Sequence, residues 1–78
     1  MDYIATFFTH SGAVKSRRYM GRLGVEAELL PVPRRLSSDC GIAAWFSTDL
    51  DLSSLITAEI EKLFVVEEGG ERLVYSAD

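Results

Sequence analysis

A single cysteine, Cys40, in a chain of 78 residues limits what can hold the fold together. With no second thiol there is no internal disulfide. A structural zinc site takes about four ligands, and one Cys with one His does not supply a metal site. The chain must stand on its apolar core. Its composition, 47% apolar, allows one, although a domain this small buries a modest share of its surface. The length implies one domain spanning residues 1–78. A lone thiol also fits a reducing cytosol better than an oxidising, secreted setting.

The opening Met1-Asp-Tyr-Ile-Ala-Thr-Phe-Phe8 has no basic segment before its apolar run, so it does not read as a signal peptide. No apolar stretch approaches the roughly 20 residues that span a bilayer. A soluble, cytoplasmic protein with no membrane partner is expected. The net charge of −4 is unevenly spread. Residues 10–40 carry Lys15, Arg17, Arg18, Arg22, Arg34 and Arg35 against Glu26, Glu28 and Asp39, a balance of +3. Residues 41–78 balance at −6, and Asp2 adds −1. Such asymmetry either steers an anionic partner to one end or marks solvated helix faces.

Tyr3–Phe8 is aromatic and β-branched, without Gly or Pro, and reads as a buried first strand. Thr9 or Ser11 can cap a helix in which Ala13, Ser16, Met20 and Leu23 recur at helical spacing, and Gly24 stops it. Val25–Leu30 suits a second strand. Pro31 and Pro33 end it, since neither can donate to a sheet ladder, and residues 32–39 form a loop. Gly41–Phe46 is the third strand. Ser47, Thr48 or Asp49 can then cap a second helix, with Leu52, Leu55, Ile56, Ile60 and Leu63 as its apolar stripe. Phe64-Val-Val66 reads as helix or strand. The stop at Gly69-Gly70 favours a helix to about Glu67 and a last strand at Glu71–Tyr75. The resulting β-α-β-β-α-β order predicts an α+β, ferredoxin-like split βαβ fold, with a four-stranded antiparallel sheet and two helices on one face. In it the first and third strands are neighbours. Cys40 then lies near Thr9, His10 and the first turn of the first helix, where the helix dipole favours an anion.

Cys40 follows two arginines and precedes Gly41, which has no side chain to shield the sulfur. Nearby cations favour a thiolate, the form that acts as nucleophile. Arg34 is the more plausible holder of that thiolate or of an anionic substrate group. Ser37 and Ser38 form a candidate anion nest, and His10 is a candidate base. Each has a plainer alternative: a packing cysteine, a solvated arginine, turn serines, a polar residue at a helix start.

Pro31-Val-Pro-Arg34, Ser37-Ser38 and Cys40-Gly41, with Thr6-Phe7, Ala13 and Gly24-Val25 upstream, resemble the selenium/sulfur carrier protein-like family over roughly residues 3–75. The resemblance implies that Cys40 is the family's characteristic thiol, with Arg34, Ser37 and Ser38 shaping its loop. It also implies transient partners, a donor and an acceptor in sulfur or selenium metabolism. Such a carrier is not an enzyme by itself and needs no cofactor. The alternative is a non-catalytic interaction or ligand-sensing module in which Cys40 is inert. Nucleic acid is not an expected partner. Gly41-Ile-Ala-Ala-Trp-Phe46 lacks the basic-glycine-aromatic signature of RNA-binding sheets, and the acidic balance opposes phosphate binding.

Overall fold

β1, Asp2–Phe7, is the central strand of this computed structural model, which describes residues 1–36 and 40–77. Its run Ile4-Ala5-Thr6-Phe7 is fully buried because both faces of the sheet are covered there. The chain continues through α1 (His10–Arg22), β2 (Ala27–Pro31) and β3 (Ile42–Ser47). A short 3-10 turn at Leu52–Ser54 leads to β4 (Ile60–Glu67) and β5 (Gly70–Ser76). All pairings are antiparallel, in the order β2-β3-β1-β4-β5. β1 and β3 are neighbours, with Thr6 opposite Ala43.

The structure corrects the expected ferredoxin-like architecture. Among the described residues there is one α-helix rather than two, and the sheet has five strands rather than four. The second helix is replaced by the 3-10 turn and β4. The reason lies in Ile60–Val66, where β-branched and aromatic residues outweigh the helical stripe. The stripe itself has a strand explanation. Phe7 lies opposite Ile60 while Thr6 lies opposite Lys62, so Glu61 is an extra, bulged residue. The bulge resets the alternation. Ile60 and Leu63, three residues apart, therefore face the same side and share one core cluster. Phe64 and Val66 point to the other face, so the ambiguous segment is strand.

α1 covers one face of the sheet. Ala13 and Met20 join Ala5, Phe7, Val25, Ala44, Phe46, Leu55, Ile60 and Leu63 in the main core. Among the described residues no helix lies on the opposite face. There Ile4 and Ala43 are capped by Leu36 from the loop after β2, with Val32, Trp45, Phe64 and Val66 packed around them. No helix of the described residues is long and apolar enough to cross a membrane.

Candidate functional site

The β2–β3 loop is pinched at its neck, where the Val32 N–H donates to the Gly41 carbonyl at 3.1 Å. A turn from Pro33 follows, closed by the Leu36 N–H on the Pro33 carbonyl at 2.9 Å. Gly41 sits at φ +73°, in left-handed backbone that a side chain resists. The chain thus needs glycine next to the cysteine for a conformational reason as well as for access.

Cys40 is partly buried and packs against the main core, on the α1 side of the sheet. Its thiol donates to the Ile42 carbonyl at 3.3 Å. A thiolate has no proton for that bond, so the nucleophilic form must give it up. The register of β1 and β3 brings the start of β3 beside the end of β1, and Cys40 packs on the same cluster as Phe7 and Ala13.

The other expected residues distribute differently. Thr9 is the N-cap of α1, its Oγ1 accepting from the Gly12 N–H at 2.9 Å. His10 is the exposed first residue of that helix. Among the described residues no hydrogen bond joins either to Cys40. Arg34 is exposed in the turn and makes no ion pair among the described residues. Ser37 and Ser38 lie outside the described residues, as does Asp39.

Three features had no signal in the sequence. The carboxylate at the first turn of α1 is that of Glu59. A Cβ placed on Gly12 would lie 2.6 Å from Glu59 Oε2 and would push that carboxylate aside. α1 has no acid of its own in that turn, and Glu59 supplies the negative charge that a helix N-terminus favours.

The second is Arg35, which reaches Glu71 on β5 in a bidentate pair. Nε donates to Oε1 at 2.6 Å and Nη2 donates to Oε2. The hydrogen bonds and charge of Arg35 hold the Glu71 carboxyl below its ordinary value, and Glu71 in turn raises Arg35. The third is Leu36, the apolar cap of the helix-free face. Only the proximity of these groups in space reveals them; Arg35 and Glu71 are 36 positions apart.

Lys15, Arg17, Arg18 and Arg22 are all exposed on α1, which contains no acidic residue. Among the described residues no group of three or more His, Cys, Asp or Glu is placed to hold a metal ion.

A family model described as "Putative Se/S carrier protein-like" matches residues 2–63, most of the chain. No curated protein and no solved structure matches.

Proposed function

The chain belongs to the Se/S carrier protein-like family, and from that premise we propose that Cys40 is the carrying thiol. Its thiolate attacks the outer sulfur of a persulfide on a donor protein. The donor's S–S bond breaks as the Cys40 S–S bond forms, and the donor cysteine leaves as thiolate. The outer sulfur keeps its proton, and no net oxidation or reduction takes place. An acceptor nucleophile then attacks that outer sulfur and releases the Cys40 thiolate. A donor carrying selenium in place of the outer sulfur reacts by the same steps.

The observation that carries this reading is a partly exposed cysteine beside a glycine, at the neck of a loop, in a chain of this family. Arg34, exposed and without an ion pair among the described residues, is the cation best suited to meet an anionic group arriving at the sulfur. The role is accessory to sulfur- or selenium-transfer enzymes, and the free thiol calls for a reducing compartment such as the cytoplasm. The cationic face of α1 suits the acidic surface of a donor or acceptor, which it would steer by long-range attraction.

A second reading has one observation in its favour. The thiol is bonded to the Ile42 carbonyl and packed on the main core, as an inert cysteine in an interaction module would be.

Alkylation of Cys40 followed by intact mass, folded against unfolded, separates the two. The carrier reading expects labelling in the folded state, and loading by one sulfur on exposure to a persulfide donor, lost in Cys40→Ser. Labelling that appears only on unfolding would leave the interaction module.

A further inference from the structure

We propose that Arg35, Leu36 and Glu71 form a clasp across the helix-free face of the sheet, and that this clasp positions the Cys40 end of the β2–β3 loop. The proposal rests on the reading of Cys40 as a working thiol, but its geometry stands apart from that reading.

Arg35 follows β2, at one edge of the sheet, while Glu71 belongs to β5, at the other. Four strand spacings separate those edges, roughly 19 Å at about 4.8 Å each. An arginine side chain covers only part of that distance, so the loop backbone must lie over the face. Leu36 shows where it lies. It is 9% exposed and clusters with Ile4 of β1 and Ala43 of β3, with Phe64 and Val66 of β4 packed against them.

The far end of the clasp is built to receive a cation. The Glu71 side chain is 6% exposed, against 65% for its partner Arg35. A carboxylate so nearly buried requires a paired charge. The planar guanidinium meets it with two parallel N–H donors, a geometry a lysine does not reproduce.

The near end is the thiol. Leu36 lies on the helix-free face, whereas Cys40 packs on the main core under α1. Leu36 and Cys40 thus lie on opposite faces of the sheet. The Val32–Gly41 hydrogen bond closes its neck, and Leu36 with Arg35 anchors its body. Cys40 is four residues beyond Leu36, so an anchored Leu36 restricts it to a span of at most about 14 Å. With the clasp open, the cysteine is held by the neck, by its packing on the main core and by its bond to the Ile42 carbonyl. Arg35 and Glu71 act through that restriction, so they are positioning residues.

The test uses the full chain with Arg35→Ala, Glu71→Gln, the exchange Arg35→Glu with Glu71→Arg, and Arg72→Ala as a control. The control removes the Arg72–Glu67 pair of the β4–β5 hairpin without touching the loop. Cys40 alkylation is timed by intact mass in the folded state, with denaturant midpoints measured alongside. Arg35→Ala and Glu71→Gln are expected to label about fivefold faster than the unsubstituted chain, through local opening of the loop. The control should not accelerate, and the exchange should return the rate towards its starting value. Unchanged rates in Arg35→Ala overturn the clasp, as does equal acceleration in Arg72→Ala or acceleration that merely follows the midpoints. The two proposals fail separately. A chain whose labelling responds to Arg35 yet takes up no sulfur from a persulfide donor keeps the clasp and loses the carrier role.

Discussion

Gly12 and Gly41 are glycines for opposite reasons. A side chain at Gly41 would meet nothing within 4 Å, but the backbone is left-handed at φ +73°. At Gly12 a side chain would meet the Glu59 carboxylate at 2.6 Å and Thr9 Oγ1 at 3.0 Å. Gly41→Ala is therefore expected to destabilise by about 1–2 kcal/mol through backbone strain alone, measured as a lower denaturant midpoint with an unchanged slope. An unchanged midpoint would show that this strain is not felt. What was legible at this scale was local. Thr9 as cap, Gly24 as stop and Cys40 beside Gly41 each announce themselves through their neighbours in sequence. Arg34 and Arg35 do not. They are chemically identical and adjacent, and only the path of the loop decides which one finds Glu71.

At the scale of elements, the β4–β5 region shows why the second helix was expected and why it does not form. Leu52, Leu55, Ile56, Ile60 and Leu63 make a helical stripe only because two unrelated structures contribute to it. Leu52 opens a 3-10 turn that Leu55 caps, and the Glu61 bulge sets Ile60 and Leu63 on one face of a strand. A bulge has no composition signature, so the period alone misleads. The same region carries the acid sensitivity of the fold. Hydrogen bonds from Arg72 and Arg35 hold Glu67 and Glu71 below the ordinary carboxylate value of 4.5. A carboxyl depressed in the folded state contributes stability that is complete above its unfolded value and is lost as pH falls through the folded one. The denaturant midpoint should thus hold steady down to about pH 5 and then decline. Glu71→Gln should remove part of that decline. If the acid limb is identical with and without Glu71, the pair contributes nothing to stability.

For the whole molecule, the order of elements up to β3 could be read from the sequence, together with the adjacency of β1 and β3. The strand identity of β4 and the five-stranded order that follows from it could not. Both depend on β4 joining the sheet next to β1, a contact between the two ends of the chain. Ile4 pairs with Trp45 on one side and with Phe64 on the other. Such distant partners raise the cost of closing the chain and place folding towards the slower, millisecond-to-second range of small domains. Ile4→Val is accordingly expected to speed unfolding and to leave the folding rate nearly unchanged, as read from the two limbs of a chevron plot. A slowed folding limb would show that β1 is already docked at the barrier.

That central strand also precedes both of its sheet partners, β3 and β4, along the chain. Its apolar run Ile4-Ala5-Thr6-Phe7 emerges well before either neighbour exists. The β2–β3 and β4–β5 hairpins can each close on short loops as soon as they are made. Until those partners are made, that apolar run is a stretch open to pairing with another chain.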